Sequence, residues 1–296
     1  MTNRLEEKLR SGDFAVTTEL TPPKGIDLTD VFAKAELLKP CVDAVNLTES
    51  PRARMAIEPK SVGRLLIERG VEPIVQITAR DRNRIAVQAD LLGAAALGIG
   101  NFVFMTGDSP KNGDHPDAKP VFDLTTVELL AAARGLAGGH DLAGNELKGS
   151  PRLFIGATAN PGAEDLAREA DNTRRKIDAG ARFLQTQAVF DVSAVERFAA
   201  AAGLGDVALL AGIIPLKSAK MAGWLNANVP GIRVPDELLK MMQEAASRER
   251  EEQAGIDIAV ELIRRLRGVC SGVHVMALGW EAHVPRILRE SGVRPR

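Results

Sequence analysis

The chain has 296 residues, of which 45% are hydrophobic and 26% charged, and its formal net charge is -1. That balance excludes a disordered or fibrous chain, and the near-neutral charge gives no electrostatic case for nucleic acid or an anionic membrane surface as partner. Cys41 and Cys270 have neither metal-ligand spacing nor the makings of a disulfide framework, so a cytoplasmic location is expected.

The first 13 residues are charged and lack the apolar stretch of a signal peptide. The longest apolar run, near residues 91–100, is too short and too glycine-rich to span a bilayer. From Phe14 onward, apolar runs alternate with helix-periodic segments at the spacing of about 30 residues expected of successive βα units. Strands are predicted at 14–19, 44–48, 73–78, 102–106, 152–157, 182–187, 208–214 and 272–277. Helices are predicted at 30–38, 60–69, 83–97, 125–134, 164–179 and 192–202, then over a long region 218–267, and finally at 285–291. Within the long region Ile256, Ala259, Val260, Ile263 and Leu266 recur at helical spacing and mark a buried face. Glycines at 98, 100 and 180 suit helix ends before the next strand. Residues 135–150 read as a surface excursion. Eight such units without a shift in composition favour an α/β chain folded as a single (β/α)8 TIM barrel over residues 1–296, rather than an open doubly wound sheet.

In a closed parallel barrel the carboxyl ends of all strands converge on one face. Glu19 ends the first run just before Pro22 and Pro23, which can continue neither a helix nor a central strand. A strand glutamate is by default an ion-pair residue. At a barrel mouth, partly withdrawn from water, a carboxyl holds its proton to higher pH and can act as a general acid near neutrality. Asp108 opens a long polar loop after the fourth run; such a loop is a binding element or lid, or its aspartate braces the loop itself. Gln76 and Gln187 end two further runs. Their amides offer both donor and acceptor to a ring such as a flavin or pterin, or are simply satisfied in the core. Thr48, after the second run, can bind a ring or cap the next element. No glycine-rich dinucleotide fingerprint or phosphate loop is present, so a nucleotide would have to bind by another arrangement. His115, His140, His274 and His283 are scattered without ligand spacing, and no metal is expected.

Several stretches together carry a resemblance: TTELTPPKG at 17–25, TARDRN at 78–83, TGDSPK at 106–111 with PDA at 116–118 and VFD at 121–123, RKIDAGA at 175–181, TQAVFD at 186–191, AGIIP at 211–215 and GVHV at 272–275. In these the chain resembles the methylenetetrahydrofolate reductase family of flavin-dependent barrels. It looks closest to the branch also found fused to homocysteine methyltransferases and to the short reductases of one-carbon pathways. The resemblance implies reduction of 5,10-methylenetetrahydrofolate to 5-methyltetrahydrofolate, a step towards methionine, with hydride from N5 of a reduced flavin, FAD rather than FMN. NAD(P)H or a partner recharges the flavin. It further implies that Glu19 is the general acid that opens the folate ring, that Asp108 lies near the flavin and steadies positive charge on the folate, and that Gln187 contacts the pterin. Thr48, Gln76, Thr106, Gly107, Asn160, Glu169 and Lys176 fall at or near flavin-binding positions.

Departures from the family pattern accompany the matches. Gln76 stands where many members have His, Thr106 where many have Arg, and Asn160 near a frequent His; Leu225 and Trp280 replace an aromatic residue and an Arg. These changes touch cofactor-tail and electron-donor contacts more than the acid. A homo-oligomer and a partner reductase subunit are both compatible with the resemblance. Two other readings use the same barrel: a pterin-binding methyltransferase without a redox step, and a non-catalytic reductase-like subunit of a one-carbon complex.

Overall fold

The computed structural model describes residues 3–293. The apolar runs form β1 (Ala15–Leu20), β2 (Ala44–Leu47), β3 (Pro73–Thr78), β4 (Asn101–Met105), β5 (Phe154–Ala159), β6 (Phe183–Ala188), β7 (Ala208–Ile213) and β8 (Gly272–Val275). Each strand pairs in parallel with the next, and β1 pairs with β8, so the sheet closes in sequence order. Parallel neighbours need long crossovers. These are supplied by α2 (Thr29–Leu38), α3 (Pro59–Glu68), α4 (Arg84–Ala96), α5 (Thr126–Ala137), α6 (Leu166–Ala179), α7 (Val192–Ala202), α8 (Ala219–Asn228), α9 (Asp236–Ala246) and α10 (Glu251–Leu266). A first helix, α1 (Arg4–Arg10), precedes the barrel and α11 (Val284–Glu290) follows it. The expected (β/α)8 barrel is therefore the fold.

Alternation along the strands creates two separate cores. Outward-facing Val45, Leu47, Val75, Ile77, Phe102 and Phe104 pack with the helices. Inward-facing Ala15, Ala44, Ile74, Val103, Phe154, Phe183, Ala208 and Leu210 fill the barrel together with Leu5 of α1. Phe154 and Phe183 stack with ring centroids 5.0 Å apart. Gly156 makes that stack possible, because a Cβ there would lie 2.6 Å from the Phe183 ring.

Helix α1 is an addition to the predicted elements. It is short and charged, with too few apolar residues to display a period, yet Asn3 caps it and Glu72 accepts the backbone N–H groups of Arg4 and Leu5. The long helical region 218–267 is corrected to α8, α9 and α10. Pro230, Gly231 with φ +80° and Pro235 interrupt it first, and Glu249 with φ 56° interrupts it again. The buried face predicted for that region belongs to α10. The fifth strand starts at Phe154, two residues later than predicted. Residues 138–150 form a surface turn closed by a bridge between His140 and Glu146. No described helix is long and apolar enough to cross a membrane.

Candidate active site

Glu19 and Thr17 share the inward face of β1 with Ala15, which lies in the barrel core. The strand register puts Thr17 beside His274 of β8 and Glu19 beside Asn46 of β2. Thr17, Asn46, Gln185 and His274 are all buried and form one polar layer across the barrel, above its apolar floor. Asn46 Nδ2 donates to Gln185 Oε1 at 2.6 Å, and Gln185 Nε2 donates to Asn46 Oδ1 at 3.0 Å and to Thr17 Oγ1 at 3.2 Å. Thr17 Oγ1 lies 3.0 Å from His274 Nδ1, while His274 Nε2 faces Glu19 Oε2 at 3.6 Å. Glu19 closes this stack from above, half-buried, at the carboxyl end of the barrel.

The other residues expected at this face occupy two settings. Gln76 is half-buried on the inward side of β3, two residues before the strand end rather than at it, and its side chain has no hydrogen-bond partner among the described residues. Gln187 sits at a bulge of β6, where its Oε1 accepts from Ala188 N at 3.0 Å. Glycine at 212 permits the bulge, since a Cβ there would come within 2.4 Å of Thr186 O. Thr48 Oγ1 donates to Thr21 Oγ1 at 3.2 Å, joining the loops after β1 and β2.

Around the rim, Asp108 is exposed and accepts the Arg52 backbone N–H at 2.9 Å. It braces the loop after β2 against its own loop, and so does more than stiffen a single turn. Gly107, with φ +87°, lets the chain pass over β3, because a Cβ there would meet the Thr78 side chain at 2.9 Å. Thr106 is exposed, its hydroxyl 3.3 Å from that of Thr126. On the β5–α6 side, Glu169 accepts from Asn160 N at 3.0 Å and Lys176 Nζ donates to Thr158 O at 2.7 Å. Burial pulls the Lys176 ammonium below the usual lysine range, with Glu169 opposing it. Beside them a cleft on α6 is lined by Asp165, Arg168, Glu169, Asp171, Asn172 and Arg175.

Backbone strain concentrates at the same face. Ser50, Arg52, Ala53, Phe122 and Leu278 adopt positive φ without being glycine, each in a loop that follows a strand. Such conformations persist only where surroundings impose them, and they gather at functional sites. The two thiols play no part: burial pushes Cys41 and Cys270 up to about 11, which keeps both as inert thiols at neutral pH.

Thus the parallel barrel brings Glu19, Gln187 and Thr48 from strand ends, and Gln76 from within β3, to one mouth, with Asp108 and Thr106 on its rim and Asn160, Glu169 and Lys176 to one side. Of the four histidines, His274 is the one that folding brings to Glu19. Sequence reasoning passed over Thr17, Asn46, Gln185 and His274. The available signal was polar residues two apart on otherwise apolar strands, as in Thr17 with Glu19 and Gln185 with Gln187.

The family model of methylenetetrahydrofolate reductase matches residues 4–292 of this chain. The chain belongs to the methylenetetrahydrofolate reductase family. It is therefore an oxidoreductase, and relatives support that assignment along the full length. The 5,10-methylenetetrahydrofolate reductase of Pectobacterium carotovorum subsp. carotovorum is 26% identical, over 96% of this chain and 92% of its own length. The enzyme of the same name from Salmonella typhimurium is 27% identical, over 96% of this chain and 93% of its own. Among solved structures, a Clostridium thermocellum protein that binds two copies of 5-methyl-5,6,7,8-tetrahydrofolic acid superposes with a TM-score of 0.62 at 15% identity, covering 97% of both chains. At that identity the likeness shows the fold alone.

Proposed function

We propose that this member of the methylenetetrahydrofolate reductase family reduces 5,10-methylenetetrahydrofolate to 5-methyltetrahydrofolate at the carboxyl mouth of its barrel, with Glu19 as the acid. The observation that carries this reading is Glu19 itself: an inward-facing, half-buried carboxyl whose sole basic neighbour within 4 Å, among the described residues, is the His274 imidazole.

The residues present fit a flavin. Gln76 offers an amide with no partner in the protein to the edge of a heterocycle. Thr48, Thr106, Gly107 and Asn160 would line the same side, with Glu169 and Lys176 fixing the β5–α6 corner. The α6 cleft sets Arg168 and Arg175 among the carboxylates of Asp165, Glu169 and Asp171, so the preference for FAD over FMN rests on the family resemblance. When bound, the reduced flavin supplies hydride, and NAD(P)H or a reduced partner subunit restores it.

Glu19 holds the proton that the substrate needs. Its transfer to folate N10 lets the C–N10 bond break, and the one-carbon unit remains on N5 as an iminium. Addition of hydride to that carbon completes the methyl group. An unopened ring is a poor hydride acceptor, so the acid precedes reduction. Asp108 supplies negative charge from the rim, which favours the cationic iminium over the neutral ring. Gln187, turned by the β6 bulge, presents amide atoms towards the pterin.

Purification provides the test. The protein should be yellow, the extracted chromophore should have the mass of FAD, and adding 5,10-methylenetetrahydrofolate to the reduced protein without oxygen should restore the oxidised absorbance. A colourless protein that cannot be reconstituted, yet transfers a methyl group to a corrinoid or thiol, would instead make it a methyltransferase.

A further inference from the structure

The sequences of the eight strands carry just two ionisable side chains, Glu19 and His274. Barrel closure makes them neighbours on β1 and β8. No other charged group occupies a strand position facing either of them; the remaining polar groups of the layer are Thr17, Asn46 and Gln185. The hydrogen bonds of this layer have a direction. Asn46 and Gln185 donate to each other, and the Gln185 amide also donates onward to Thr17. Thr17 Oγ1 accepts from Gln185, and among the described residues the one acceptor within reach of its own hydrogen is His274 Nδ1. A neutral imidazole that accepts at Nδ1 carries its hydrogen on Nε2, and Nε2 is the nitrogen that faces Glu19. The tautomer is thus assigned from the hydrogen-bond chain.

We propose that His274 is a positioning residue for Glu19. Its Nε2–H faces Oε2, so the carboxyl proton resides on Oε1 and is presented to the pocket. After transfer, the same N–H faces the carboxylate that remains. The layer beneath keeps the ring from rotating, and Thr17 is the residue that fixes its tautomer. This inference rests on the role proposed for Glu19.

Two measurements test it. In the purified full-length protein, nitrogen-15 correlation spectra of the His274 ring should show hydrogen on Nε2 and a bare Nδ1; hydrogen on Nδ1 alone would overturn the proposal. In single-turnover reaction with 5,10-methylenetetrahydrofolate, His274→Asn keeps an amide near Thr17 but does not reach Glu19. It should slow the folate step by about tenfold to a hundredfold, the range a misplaced catalytic group produces, without changing half-saturation by folate or the rate of flavin reduction. His274→Gln places an N–H near the Nε2 position and should recover most of the rate. Equal losses in the two variants, or a loss confined to folate affinity, would reduce His274 to a packing residue. Should the wild-type protein not reduce the folate, the functional reading fails, while the ring spectra still decide whether His274 directs its hydrogen at Glu19.

Discussion

The two halves of the barrel interior are built from the same strands and do opposite things. Towards the amino-terminal end, Ala15, Ala44, Ile74, Phe154, Phe183, Ala208 and Leu210 pack as an apolar cluster that Leu5 of α1 seals, and the polar strand residue at that level, Asn101, pairs its amide with Asn3 and Glu72. Two residues further along, the same faces carry Thr17, Asn46, Gln185 and His274, and beyond them Glu19, Gln76 and Gln187. Buried polar groups are costly unless they are hydrogen-bonded, and an apolar layer would close the barrel as well as this one does. No side-chain atom of the polar layer is buried without a partner, so it costs the fold little, and it brings direction: a chain of donors ending under one carboxyl. The floor secures the barrel, whereas the upper half aims side chains.

That contrast can be broken from either end. Leu5→Ala should have the largest effect on stability, about 2–5 kcal/mol for a buried leucine, and leave turnover below the melting temperature near wild type. Chemical denaturation alongside an activity assay checks both. Gly212→Ala acts in the upper half. Its Cβ would press on Thr186 O, forcing the β6 bulge to shift at about 1–3 kcal/mol, and the displaced Gln187 should raise the folate KM. A variant with normal folate KM would detach Gln187 from the substrate.

Smaller effects are expected at the rim. Asp108→Asn removes a negative charge and should raise the midpoint potential of the bound flavin, measured by redox titration; an unchanged potential would place Asp108 away from the ring. The smallest effect concerns the loop after β4. Hydrogen bonds from the Arg84 side chain and backbone to Asp123 lower its carboxyl from 3.8 to about 2. A carboxylate depressed on folding stabilises above its unfolded value and loses that contribution as pH falls through the folded one. Pepsin nicking within 106–123 should therefore increase as pH falls from about 4 towards 2, before the barrel unfolds.

Much of this was legible in the sequence because it is local. Apolar runs at βα spacing specify the barrel, and Pro22 with Pro23 mark Glu19 as lying at a strand end. What escaped is non-local. His274 reaches the site through barrel closure, 257 residues from Thr17, and no spacing rule connects them. Asp108 meets Arg52 across two loops, and that contact exists only because both follow parallel strands. Helix α1 escaped for another reason: it draws stability from Glu72 and the barrel floor, not from a period of its own.

The central claim is that one carboxyl at the barrel mouth protonates the substrate. Glu19→Gln keeps the shape and removes the acid, so its two half-reactions, followed separately by flavin absorbance in the absence of oxygen, test it most directly. The account predicts flavin reduction by an artificial donor close to wild type and a folate-dependent reoxidation slowed by about a hundredfold or more, the usual contribution of a general acid. Reoxidation by folate at the wild-type rate would contradict it.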